Sequence, residues 1–285
     1  MTANVAAPSS ERRRRARRRL LGRVLLYLGA ALLALWVLAP IYIITVTAFS
    51  PRSVVYDYPK HLIPREVSAE TMDFFVNSTG VLPSLWRSVQ VALVTLALST
   101  LIGAPAGYAL ARFAFRGRDT FRLAILSTRA FPIVILSIPL AVTFIEWGIY
   151  DTIWSVALMH TALALPFTVL ITSSIFVSVP RDLEEAALTL GCTPISAFVR
   201  VVLPLALPGL AAASIFTFVL SWNEVFAAVI LTLRERTLPA LILAAITESP
   251  APFRFAAAWF MAAPSLIFIF LIRRYLLGMW GRVSR

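Results

Sequence analysis

TIWSVALMHTALALPFTVLITSSIFVSVP, residues 152–180, runs for 29 positions without a charged side chain. A bilayer demands roughly 20 such residues if they are helical, so this stretch reads as a membrane span. The same reading extends in both directions along the chain. Residues 24–51 and 88–111 carry no charge over 28 and 24 positions, 201–223 over 23, and 255–272 over 18. Between Leu123 and Ile145 the only charge is Arg129. Away from water every backbone amide must find a partner within its own segment, so helix is the expected form. Pro40, Pro105, Pro132, Pro139, Pro166 and Pro264 then read as kinks within these helices. The composition agrees: 59% of the 285 residues are hydrophobic, 14% are charged, and mean hydropathy is +0.83, which soluble domains rarely reach.

The expected organisation is all-α. A basic tail covers 1–20, six spans lie at about 24–49, 86–111, 121–145, 153–179, 208–231 and 255–275, a loop at 181–204 joins the fourth and fifth spans, and a short tail covers 278–285. Arginine and lysine set the orientation. With the N-terminus in the cytoplasm, inner segments hold 18 of them and outer segments seven. That positive-inside asymmetry places both termini in the cytoplasm, and the net charge of +12 is a topology signal that also favours anionic lipid headgroups. The run Arg12 to Arg19, broken only by Ala16, lacks the aromatic or folded context of a nucleic-acid surface. The apolar stretch behind it exceeds the ~7–15 residues of a secretory signal, so it is expected to remain as the first span.

Several chemistries are excluded. Cys192 is the lone cysteine, which rules out an intrachain disulfide or a cysteine metal cluster. The nucleotide-binding phosphate loop needs a Gly-Lys-Ser/Thr ending, whereas the one lysine, Lys60, follows Pro59. Nucleotide energy could therefore enter only through another polypeptide, with ATP and Mg on that partner and no cofactor on this chain. No carboxylate pair, histidine cluster or based nucleophile suggests an enzyme. His61 falls in an outer loop. His160, alone in an apolar run, reads as a helix-packing residue bonded to a neighbour rather than as a proton relay.

The loop after the fourth span is patterned. Asp182 can cap a helix opened by Pro180 and Arg181, with Leu183, Ala186, Ala187 and Leu190 on one face. Gly191 stops it. Thr193 and Pro194 then form a cap and first-turn pair, and Ile195, Phe198 and Val202 make a second apolar face reaching Leu203 and Pro204. The first helix exposes Glu184 and Glu185, while Ala186 and Ala187 let another surface approach closely. On periodicity alone the pair could dock a partner or lie against membrane or spans.

The linear pattern Glu185-Ala186-Ala187, Gly191, Val201, Leu203, Pro204 resembles the EAA loop of bacterial ABC importer permeases, with Val201 standing where isoleucine is usual. Tyr108 to Arg118, reading YALARFAFRGR, resembles the signature of carbohydrate permeases of the maltose inner-subunit type, and Ser221-Trp222-Asn223-Glu224 is similar to that group's SWNE segment. The resemblance spans roughly residues 20–277. It departs at Arg87-Ser88, where Asn-Ser is common, and in the tail from Leu277, which leaves that tail's contact with an ATPase open. The resemblance implies a type I ABC importer permease: six transmembrane helices and a cytoplasmic two-helix coupling loop, in a bacterial inner membrane. It also implies a homologous permease partner, two ATP-binding subunits, an extracytoplasmic solute-binding protein and a small-molecule substrate, a sugar, oligosaccharide or polyol. Glu184, Glu185, Ala186, Ala187, Gly191, Leu203 and Pro204 would then couple to the ATPase.

Within the spans, Arg129, Trp222, Asn223 and Glu224 are candidates for the solute path or its gate. Arg129 could instead snorkel to headgroups, and Trp222 could anchor at the interface. The loop 51–85 reads as a partly ordered outer cap that could touch the binding protein. The remaining alternatives are an ABC permease for a non-sugar solute and an ion-coupled carrier, although the paired interrupted spans or internal repeat of such a carrier are not evident.

Overall fold

The computed structural model describes residues 9–59, 63–64 and 66–283, and it is helical throughout with no strand among them. Part of the basic N-terminal tail, Lys60, His61 and the end of the C-terminal tail lie outside the described residues. In chain order the helices are α1 (Ser9–Ala48), α2 (Glu70–Val76), α3 (Val81–Arg112), α4 (Arg118–Ser127), α5 (Ile133–Glu146) and α6 (Ile153–Ser178). They continue with α7 (Arg181–Thr189), α8 (Pro194–Ala197), α9 (Leu203–Asn223), α10 (Phe226–Leu231), α11 (Leu238–Ala245) and α12 (Ala251–Val283). Five stretches are long and apolar enough to cross a membrane: Leu20–Ala48, Val81–Arg112, Ile153–Ser178, Pro194–Asn223 and Ala251–Leu271.

The expected third span differs. α4, with the 3-10 turn Thr128–Ala130, and α5 meet at 86°, so 121–145 is a broken span rather than one rod. Pro132 is the cause. It is the N-cap of α5 instead of a kink within a helix, and the clash of its ring with the preceding residue pushes Phe131 into an extended conformation, φ −79° and ψ 124°. Pro40, Pro105, Pro139, Pro166 and Pro264 do lie inside helices, and so does Pro208.

The fifth span also departs from 208–231. It begins earlier, because α8 passes through the π-helical turn Phe198–Val202 into α9 without a break. It ends earlier too: Glu224 is extended, φ −75° and ψ 126°, and α10 starts anew behind it. The outer loop 51–85 holds a 3-10 turn, Val54–Tyr56, and α2, fastened by Thr71 Oγ1 donating to the Ser50 carbonyl at 2.7 Å.

α3 and α6 form the most extensive helix pair; α9 packs against both, and α12 packs on α9. Small residues allow the close approach. A Cβ on Gly107 would lie 2.8 Å from the Ser173 nitrogen and 2.9 Å from the Val169 carbonyl, and one on Gly103 would lie 2.7 Å from Thr168 Cγ2. Thr172 Oγ1 meets the Gly103 carbonyl at 3.0 Å across the same seam. This is packing by small residues and hydroxyls, the means available where lipid removes the hydrophobic drive between helices. Three apolar clusters run along the bundle. One gathers Phe75, Phe218, Trp222 and Phe253, a second Val91, Phe144, Met159 and Leu231, and a third Ala104, Phe176, Val202 and Leu210. The apolar stretch of α1 is almost wholly exposed within this chain and leans on α12.

Candidate functional site

α7 is shaped by its ends. Pro180 is the N-cap, and no side chain caps the helix, so Asp182 sits in the first turn and is not the expected cap. Its charge still suits that end of the helix dipole. At the other end Gly191, φ +91°, turns left-handed. Its N–H reaches the Leu188 carbonyl and that of Cys192 the Ala187 carbonyl, both at 3.0 Å. These are the paired bonds of a Schellman closure, which favours glycine at this position. Thr193 Oγ1 then accepts from the Ser196 nitrogen at 3.3 Å and Pro194 opens the first turn of α8, as the sequence indicates.

The expected faces are corrected in part. On α7 only Ala187 is buried; Leu183, Ala186 and Leu190 are exposed, Leu190 by 86%. Ile195 is likewise outside, while Val202 is fully buried and Phe198 packs inward with Tyr108. The reason is that α8 and α9 are one continuous rod, so inward direction is set by the span and not by the short helix. The result is an exposed patch of Leu183, Glu185, Ala186, Leu188, Leu190 and Ile195 at the end of the bundle. Leu203 and Pro204 lie within that rod, directly behind the π-helical turn, where the wider turn has already shifted the helical bonding around the N–H that Pro204 lacks.

Glu184 is not exposed as expected. It turns in to Arg112 at the end of α3, where Nε lies 2.8 Å from Oε2, and the two side chains are 7% and 15% exposed, Arg112 first. That nitrogen is off the line of its own N–H, so the contact is one of charge more than an aligned hydrogen bond. The Tyr108 hydroxyl donates to the other carboxylate oxygen. Arg112 Nη2 reaches the Val179 carbonyl at 3.0 Å, and Arg181 Nη2 the Arg112 carbonyl at 3.1 Å. Of the two glutamates, Glu185 is the one exposed. Tyr108 and Arg112 belong to the signature quoted above, but their partner lies 76 residues from Tyr108. The available hint is their i, i+4 spacing, which places both on one helix face.

The fifth-span candidates separate. Trp222, 1% exposed, is buried against Phe218 and donates from Nε1 to the Met261 carbonyl at 2.9 Å, so it does not anchor at an interface. Asn223 is exposed and donates from Nδ2 to the Val219 carbonyl at 2.9 Å. Glu224 accepts the N–H groups of Ala227 and Ala228 at 3.0 and 3.2 Å, which caps α10, and meets His160 Nε2 at 3.1 Å. His160 Nδ1 is 2.9 Å from Ser221 Oγ, so the histidine is a bonded packing residue as the sequence indicates. Arg129 lies apart, in the turn between α4 and α5, with its guanidinium 3.9 Å over the Phe167 ring. Sequence reasoning missed Asp151, whose carboxylate gathers the N–H groups of Leu233, Arg234 and Glu235 and holds the α10–α11 connection. Among the described residues no group of three or more His, Cys, Asp or Glu side chains is placed to hold a metal ion.

A bundle with a broken third span, a helix break at Glu224 and an exposed two-helix loop at its end is the architecture of a membrane-embedded subunit. The chain belongs to the family described as "Binding-protein-dependent transport system inner membrane component", which matches residues 99–277. The "Trehalose transport system permease protein SugB" of Mycobacterium tuberculosis is 31% identical over 245 residues, covering 84% of this chain and 89% of that one. The "Diacetylchitobiose uptake system permease protein DasC" of Streptomyces coelicolor is 29% identical, covering 73% and 75%. The fold matches a chain from the crystal structure of a bacterial ABC transporter involved in the import of the acidic polysaccharide alginate, with TM-score 0.69 at 20% identity, covering 94% of this chain and 98% of that one. The chain is thus a multi-pass inner-membrane permease subunit of an ABC importer.

Proposed function

We propose that this permease carries a sugar, oligosaccharide or polyol. It forms half of a pathway whose other half is a homologous permease. Two copies of an ATP-binding subunit supply ATP and Mg, and a solute-binding protein delivers the cargo outside. The carbohydrate assignment follows from what its relatives transport. Both termini and α7 lie in the cytoplasm on this reading, and the chain carries no catalytic step of its own. The observation that carries the coupling assignment is the exposed face of α7. Glu185 and small Ala186 stand beside Leu188 and Leu190, large apolar side chains that an isolated loop gains nothing by exposing. A groove with a cation for Glu185 and an apolar floor would complement that face. ATP closure of the ATPase pair would then swing the two permeases between inward-open and outward-open states, because the docked loop binds those two states with different free energies.

Replacing Glu185 with lysine, or Gly191 with valine, which strains the left-handed turn, tests this assignment. The expected result is loss of the co-purifying ATPase with the chain still inserted. Retention of the ATPase by both variants would refute the docking assignment. The cargo class is tested by titrating the receptor encoded beside this chain with mono- and disaccharides. A receptor that binds only amino acids or peptides would overturn it.

A further inference from the structure

A nine-residue helix such as α7 can transmit force only if it cannot swivel. Its two chain connections, residues 179–180 and 190–193, are short loops that do not by themselves fix its tilt against the bundle. What holds it is lateral. Glu184 leans into a pocket made by the ends of α3 and α6 and by the π-helical turn. Arg112 and Tyr108 grip its two oxygens, and Arg181 returns from α7 itself to the Arg112 carbonyl. The Tyr108 ring is wedged 4.5 Å from Phe198 and 5.6 Å, edge on, from Phe176, so its hydroxyl is held in place. Arg112 is tied in turn to the Val179 carbonyl at the end of α6. The pair is largely shielded from water, where opposite charges attract more strongly and separate at greater cost.

We infer that Glu184, Arg112 and Tyr108 form a latch that makes the docking helix move as one body with α3 and α6. They are positioning residues for coupling: Glu185 and Ala186 meet the partner, and Glu184 carries the motion inward. The inference rests on α7 being the docking helix. It assigns adjacent acids different duties, one facing the ATPase and one facing the bundle.

The test uses the full importer complex in lipid nanodiscs, with Cys192→Ser and nitroxide labels at Arg116→Cys, beyond α3, and Thr189→Cys, on α7. In the otherwise unaltered chain the distance distribution between the labels should be the same in the nucleotide-free and ATP-vanadate-trapped states. In Glu184→Gln the ATPase should still co-purify and hydrolyse ATP, but a second, nucleotide-dependent distance population should appear. Tyr108→Phe keeps the ring packing and should broaden the distribution in the same direction. A nucleotide-dependent distance in the unaltered chain would overturn the latch. So would an unchanged distribution in Tyr108→Phe, whether or not Glu184→Gln inserts. If the unaltered chain fails to retain an ATPase, the docking assignment falls instead, because the label distance in the permease alone still reports whether Glu184 holds the helix.

Discussion

Glu224 and His160 show what a charged side chain requires inside an apolar bundle. Their side chains are 9% and 1% exposed, and the carboxylate is satisfied by two backbone N–H groups and the imidazole. Alanine at 224 would orphan both donors and the ring nitrogen. Leaving such groups unpaired costs about 1–3 kcal/mol, so Glu224→Ala should lower the thermal midpoint of the purified complex. Asn223→Ala, at an exposed neighbour, should leave it nearly unchanged, and equal effects of the two would contradict this account. The SWNE segment makes Glu224 visible in the sequence. Its partner is not, because His160 is 64 residues away and only the pairing of α6 with α9 brings them together.

At the level of the helix, α3 and α6 depend on two glycines one turn apart. Gly107→Val would drive a branched side chain into the backbone of α6 around Val169 and Ser173. Overpacking of that kind costs about 1–3 kcal/mol, and the expected result is a lower thermal midpoint and a loosened bundle. Gly29→Ala in α1, with nothing within 4 Å of the added carbon, should leave the isolated permease as stable as before. Apolar length marked these helices well, but their breaks less so. Pro132 and Pro139 look alike in sequence, yet Pro132 caps a helix and Pro139 sits within one. Which of the two occurs depends on whether neighbouring helices satisfy the freed carbonyls. The break at Glu224 contains no proline or glycine. It exists because the carboxylate caps the next helix.

For the whole molecule, the positive-inside count makes a definite topological statement. A cysteine at Thr189, with Cys192→Ser, should react with an impermeant maleimide only after the membrane is opened, and one at Arg236 should react in intact spheroplasts. Labelling of position 189 from outside would invert the topology and remove α7 from reach of any cytoplasmic ATPase. The bundle also leaves Leu25, Leu32, Trp36 and other large residues of α1 uncovered, as a chain does whose apolar surface is finished by lipid or a second subunit.

Sequence alone placed this chain in a membrane, marked its long apolar helices and located the two-helix loop between the fourth and fifth of the expected spans. Each of those follows from short-range properties: span length, charge counts and the glycine and proline signals that end helices. Tertiary structure decided which acid of the adjacent pair faces outward, that the fifth span begins inside the loop, and that Trp222 is buried. Those outcomes depend on the direction in which a rod enters the bundle and on partners dozens of residues away, and local periodicity carries neither.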